Sequence, residues 1–274
     1  MKKPKIPKPR GVDFLINWSM GSWSEDRVLE AINDTGRYVA VRYGVSRAGS
    51  FSFEEYARYY QRLQRMYLHG KRPDLLVFDS NTYQELKQRW GSIMDNLMDV
   101  PNSEADKVVE EALFGVEVEV SKWHVGKMLE YQGKKRRKTS ILGPTFTIKE
   151  EDLEPLIKWV TYFNKEIVIV QTFYDRAYAT TFSAVRNLIE RKRIGESIEG
   201  VKAKVDRKTK KMTYYISCLK YGVLFGEFNP LPDIRGRVLI DEMGQLWPMA
   251  EFVNGNLRIT DEGLKLLDKA SRGH

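Results

Sequence analysis

The stretch Lys165-Glu166-Ile167-Val168-Ile169-Val170-Gln171-Thr172-Phe173 constrains the fold more than any other part of this chain. Branched apolar residues fill consecutive positions, so both faces of the strand they form must be covered. Such a strand lies inside a sheet with other elements packed above and below it. The flanking segments supply them. A helix beginning near Asp152 carries Leu156, Ile157, Val160 and Phe163 on one side, with Pro155 confined to its first turn. After the strand, Asp175 is expected to cap a helix in which Tyr178, Phe182, Val185 and Ile189 share a face. Strands alternating with helices in this way predict an α/β core.

The same alternation holds upstream. Ser52-Phe53-Glu54-Glu55 has the spacing of a capping box, and an amphipathic helix follows it to Gly70. Asp74 then opens an apolar strand through Phe78. A helix is expected over about 82–98, with Tyr83, Leu86, Trp90, Ile93 and Leu97 in register, and Ser103 is expected to cap a short helix reaching about Leu113. From Phe114 to Trp123 valine alternates with glutamate. Glu117, Glu119 and Ser121 project from one face of this strand, and Val116, Val118 and Val120 from the other. From Val201 the texture turns to short strands: a hairpin at 201–205 and 212–216, and strands near 237–240 and 245–252. A terminal helix follows at about 261–271. The expected organisation is a basic arm over 1–10, an α/β core over 11–195 and a β-rich C-terminal appendage over 196–274, with a winged helix as one option for it.

Several classes are excluded early. No apolar run approaches the length of a bilayer span, and the N-terminus lacks a signal-peptide segment, so the expected setting is the cytoplasm. One cysteine, Cys218, rules out an internal disulfide and a multi-cysteine zinc site. His69, His124 and His274 are scattered, which argues against a histidine–zinc hydrolase. The net charge of +8 favours an anionic partner. Two places concentrate that charge: Met1–Arg10 (MKKPKIPKPR), which cannot pack a core, and Lys134-Lys135-Arg136-Arg137-Lys138.

Against this basic background, the paired acids point to metal chemistry. Mg²⁺ takes hard oxygen ligands, typically one or two carboxylates completed by water and substrate phosphate. Asp74 and Glu117 supply two carboxylates, and the main-chain carbonyl of Val118 is suited to be a third ligand. Glu119, on the face of Glu117 and about two strand rises away, can orient a water, accept its proton or bind a second ion.

Pro73-Asp74 followed by Glu117-Val118-Glu119, 43 residues on, resembles the signature of the PD-(D/E)xK nuclease superfamily. The sequence departs from the usual pattern in placing Glu119 where lysine is common, although some type II restriction endonucleases carry Glu-x-Glu there. Either Glu119 or Lys122 is then left to do the work of the lysine. A helical glutamate ahead of the catalytic strand joins the site in some of these enzymes, which makes Glu55 an auxiliary candidate beside its capping role. The stretches Gly70–Phe78, Thr145–Lys149 and Val170–Asp175 are similar to AccI-like type II restriction enzymes over roughly residues 40–190. The resemblance implies a restriction-endonuclease-like mixed sheet flanked by helices and a Mg²⁺-dependent, sequence-specific endonuclease acting on double-stranded DNA. It also implies 5′-phosphate products, a homodimer, and a cognate DNA methyltransferase in the same system. The catalytic set is Asp74, Glu117 and Glu119, and the metal set Asp74, Glu117 and Val118. Candidate DNA contacts are Lys134, Lys135, Arg136, Arg137, Lys138, Arg47 and Gln171. Tyr43, Tyr174, Arg176 and the cations at 202–211 are secondary candidates. Two other readings compete, a repair or recombination nuclease of the same superfamily and a non-catalytic DNA-binding protein.

Overall fold

A computed structural model describes residues 12–45, 52, 54, 56–57, 59, 69–134, 143–205, 210–240 and 243–273. Helix α1 (Val12–Asn33) leads into β1 (Tyr38–Arg42). Strand β2 (Leu75–Asp79) is followed by α2 (Ser80–Trp90), a 3₁₀ turn over Gly91–Asp95, and α3 (Asn102–Glu111). Then come β3 (Phe114–Val120), α4 (Val125–Lys134), β4 (Thr145–Lys149), α5 (Glu150–Phe163), β5 (Ile167–Thr172), β6 (Arg176–Thr181) and α6 (Phe182–Arg193). The remainder comprises β7 (Val201–Val205), β8 (Met212–Ser217), α7 (Cys218–Tyr221), β9 (Val223–Phe228), β10 (Asp233–Ile240), β11 (Leu246–Val253), β12 (Leu257–Ile259) and α8 (Asp261–Ser271).

Seven strands form one mixed sheet in the order β1-β2-β3-β5-β6-β9-β12. Every neighbouring pair in it is antiparallel except β3–β5, which is parallel and is joined by a crossover containing α5. Strand β5 is buried along its whole length, as its composition requires. Ile167 and Ile169 enter one apolar cluster with Leu76, Phe78 and Trp159, while Val168 and Val170 enter another with Leu75, Val77, Val28 and Ile32 of α1. Helix α1 therefore covers one side of the sheet, and α5, α6 and the three-stranded sheet β4-β8-β7 cover the other. This is the mixed α/β, restriction-endonuclease-like architecture expected from the sequence. The C-terminal stretch adds β9 and β12 to the large sheet and the β10–β11 hairpin beside it.

Several local expectations are corrected. The helix placed over 82–98 stops at Trp90, where Gly91 adopts a φ of +59° that continues no helix. Its start is fixed by Asp79, whose carboxylate accepts the N–H groups of Asn81 and Thr82 at 3.1 and 3.0 Å. Ser103 lies inside α3, whose N-cap is Pro101. Pro155 sits beyond the first turn of α5, which begins at Glu150, and its carbonyl accepts the Lys71 N–H at 3.0 Å. Most informatively, Asp175 does not cap a following helix. Residues 176–181 form β6, and Thr181 caps α6 through the Ala184 N–H. Tyr178 therefore leaves the helical face, while Phe182, Val185 and Ile189 remain on it.

Two close approaches hold Pro73 in place. A Cβ on Gly115 would come within 2.6 Å of the Pro73 ring, and one on Gly44 within 2.7 Å of the Pro73 carbonyl oxygen. Glycine in β3 and just beyond β1 thus lets the chain before Asp74 press into the sheet. Gly115→Ala is expected to destabilise the fold by about 1–3 kcal/mol through overpacking against Pro73 and Trp159. Urea unfolding measures this, and an unchanged midpoint contradicts the packing described.

Candidate active site

Asp74 is fixed from both sides before its side chain does anything. Its carbonyl accepts the N–H groups of Tyr43 and Gly44 at 2.9 and 3.1 Å, which locks the entry to β2. Two residues earlier, Arg72 is buried and donates to the carbonyls of Leu97 and Val100 and to Asn102, with its guanidinium 4.8 Å from the Tyr43 ring centroid. In the β2–β3 register Leu75 faces Val116 and Leu76 faces Gly115, so one step further Asp74 comes opposite Glu117. The two acids converge because the antiparallel register puts them across from each other where the β2–β3 pairing ends.

They line a cavity of about 200 Å³ with Glu119, Val118, Glu25, Lys71, Lys149 and Asp152. Asp74 Oδ2 accepts the Val118 N–H at 2.7 Å. The N–H and C=O of one strand residue point toward the same edge, so the Val118 carbonyl also looks to the Asp74 side. Glu117 is 3 % exposed. Its Oε1 accepts from Lys71 Nζ, and Lys71 also lies 3.5 Å from Asp152 Oδ1. The second oxygen, Glu117 Oε2, is buried and has no hydrogen-bond partner among the described residues. Such an orphaned anionic oxygen is costly unless something cationic meets it.

The electrostatics follow from crowding. Burial, the Glu25 carboxylate and Glu119 push Asp74 up to about 8 against the pull of Lys71 and the Val118 N–H. Burial and the Asp74 carboxylate hold Glu117 well above the ordinary range, again opposed by Lys71. For Lys71, burial disfavours the charge, but Glu117, Asp152, Asp74 and Glu119 outweigh it and keep the ammonium protonated. Acids outnumber cations here, which is the condition a divalent ion relieves. Among the described residues no three His, Cys, Asp or Glu side chains form a ready-made cage. The donor set that does fit an ion is Asp74, Glu117 with its orphaned oxygen, and the Val118 carbonyl, a set suited to a magnesium ion that keeps its waters.

Glu25, Lys71, Lys149 and Asp152 line the cavity as well and were not among the site residues expected from the sequence. Glu25 is a helical glutamate ahead of β2, but it comes from α1, where Arg42 also reaches it at 3.4 Å. Glu55, given that part from sequence, lies outside the described residues. Lys122 is exposed and lines no part of this cavity, so the lysine facing the acids is Lys71 instead. Only its place two residues before Pro73 marks it in the sequence.

The proposed DNA contacts fare unevenly. Gln171 is 1 % exposed and its Oε1 accepts the Thr147 N–H at 3.2 Å, so it ties β5 to β4 and is closed to a duplex. Tyr43 is likewise buried, pushed up to about 12 by that burial, and accepts from Trp159 Nε1 at 3.3 Å. The Tyr174 hydroxyl donates to the Pro232 carbonyl at 2.8 Å, and Arg176 Nε to Asp175 at 3.0 Å. Lys134 ends α4. Arg47, Lys135, Arg136, Arg137 and Lys138 lie outside the described residues.

No helix among the described residues is long and apolar enough to cross a membrane. No curated protein and no solved structure matches the chain. The family model of the AccI restriction endonuclease matches residues 2–143, just over half of the chain. The matched stretch contains Glu25, Lys71, Asp74, Glu117 and Glu119, five of the residues that meet in the cavity. The chain belongs to the AccI restriction endonuclease family.

Proposed function

We propose that this chain is a Mg²⁺-dependent type II restriction endonuclease of PD-(D/E)xK type that hydrolyses both strands of a specific DNA site and leaves 5′-phosphates. The observation that carries the reading is the convergence of Asp74, at the entry to β2, and Glu117, in the middle of β3, with a buried oxygen on Glu117 that has no partner among the described residues. Asp74, Glu117 and the Val118 carbonyl would hold the ion. Bound there, Mg²⁺ supplies charge neutralisation at the phosphate and acidifies a water.

The protein's own groups do the rest. Glu119 projects beside Glu117 and accepts the proton of the attacking water. Lys71, kept charged by its acidic neighbours, turns its ammonium to the negative charge that grows on the phosphate oxygens. Glu25 is a further acid at the Asp74 side and steadies the water or the ion. In-line attack on phosphorus expels the 3′ oxygen, so the phosphate stays on the 5′ end. A site that cuts one strand at a time calls for two copies on a two-fold symmetric duplex, hence a homodimer. A DNA methyltransferase of the same specificity would protect host DNA in the cytoplasm.

Incubation with a large defined DNA tests this. Discrete fragments that form with Mg²⁺ and vanish with EDTA are expected. A smear or structure-dependent nicking favours a repair nuclease, and salt-sensitive binding without cleavage under any divalent ion contradicts an enzyme.

A further inference from the structure

A second cavity, of about 910 Å³, opens where the glutamate strand ends. Ser121 belongs to the same alternating row as Glu117 and Glu119, and it lines this cavity. On β4, Thr145 and Thr147 line it, while Lys149, next in their row, lines the acidic cavity. The two cavities are therefore successive parts of one cleft. From Glu119 to Ser121 is two strand rises, about 7 Å, comparable with one nucleotide of an extended DNA strand.

The chemistry changes along that step. The second cavity is walled by Trp123, Tyr131 and Tyr215, together with Lys127, Lys202 and Lys204. Trp123 is 61 % exposed, a large ring left in water at the cavity mouth. Lys204 Nζ stands 5.7 Å from the Tyr215 ring centroid. The backbone that presents Trp123 is firmly held. Its carbonyl accepts the Tyr174 N–H at 3.0 Å, and the buried Asp175 carboxylate takes the N–H groups of Val125 and Gly126 at 2.6 and 3.1 Å. Asp175 thus caps α4 from across the fold, which fixes the turn carrying the tryptophan.

We propose that this cavity is a nucleobase subsite: it receives one unstacked base of the bound DNA strand, a nucleotide away from the scissile phosphate. The proposal rests on the endonuclease reading for its location but not for its chemistry. Trp123 offers a stacking face that accepts any base. Lys127, Lys202 and Lys204 match the phosphates on either side. A backbone phosphate alone gains nothing from aromatic walls, whereas a base with its flanking phosphates uses both kinds of lining. The volume falls in the range of small-molecule sites and is ample for one base.

The test measures binding of fluorescein-labelled dT12 and of an abasic 12-mer of the same backbone by anisotropy, in Ca²⁺. Wild type is expected to prefer dT12. Trp123→Ala is expected to weaken dT12 by roughly 5- to 150-fold, to leave the abasic strand unchanged, and to be rescued by Trp123→Phe. Equal loss on both strands, or no loss on either, overturns the subsite. Cleavage of duplex DNA with Mg²⁺, measured beside it, separates the two claims. Cleavage with base-independent binding sinks the subsite alone, and base-dependent binding without cleavage keeps the subsite while sinking the nuclease reading.

Discussion

Glu117→Gln and Asp74→Asn are expected to lower DNA cleavage by about 10³-fold or more while leaving DNA affinity in Ca²⁺ within a few-fold of wild type. Both substitutions keep the shape of the side chain and remove a carboxyl that can ionise to meet a cation. Asn at position 74 still offers an oxygen to the Val118 N–H, so the strand ends stay paired. Gln at position 117 can still accept from Lys71, which also keeps Asp152 nearby. What each variant loses is a hard anionic ligand aimed into the cavity. The check is single-turnover cleavage beside a binding isotherm. Full activity in either variant refutes the assignment, and parallel loss of binding and cleavage means the substitution damaged the fold instead.

The second large effect runs the other way. Asp74→Asn is expected to stabilise the metal-free protein at neutral pH, because the wild-type carboxylate is held among acids that push it up to about 8. A carboxyl whose folded pKa exceeds its unfolded value costs stability above the unfolded pKa, near 4, and the cost grows until the pH reaches the folded value. The gain from the substitution is therefore absent below about pH 4 and largest above about pH 8. At pH 7 the gain is on the order of a few kcal/mol at most, or several degrees in Tm. Thermal melts of both proteins in EDTA across that range measure it. A destabilised variant, or a pH-independent gap, contradicts the crowded-acid account. Added Mg²⁺ should reverse the order, since the ion favours the wild-type site.

The sequence-level pattern carried the centre of the site because strand geometry is local. Alternation puts Glu117 and Glu119 on one face, and the apolar run of β5 announces a strand with layers on both sides. Asp74 joins them because the β2–β3 register, carried one residue past Leu75–Val116, sets it opposite Glu117. Glu25, Lys71, Lys149 and Asp152 were illegible for the opposite reason. They come from a helix, a loop, a strand of a second sheet and the first turn of another helix, and only tertiary packing gathers them. Asp175 shows how a sound local rule fails. Its capping chemistry was real, but the N–H groups it satisfies belong to α4, 49 and 50 positions away in sequence. Gln171 misled in a related way, since a polar residue near a strand end looked available and is spent holding two sheets together.

The central claim is that Asp74 and Glu117 together form a divalent-metal site. Titrating Mn²⁺ into wild type and Glu117→Gln, and following free Mn²⁺ by electron paramagnetic resonance with and without duplex DNA, tests it most directly. The account predicts saturable loss of the free-ion signal for wild type, strengthened by DNA, and little or none for the variant. Equal Mn²⁺ uptake by both proteins would contradict it.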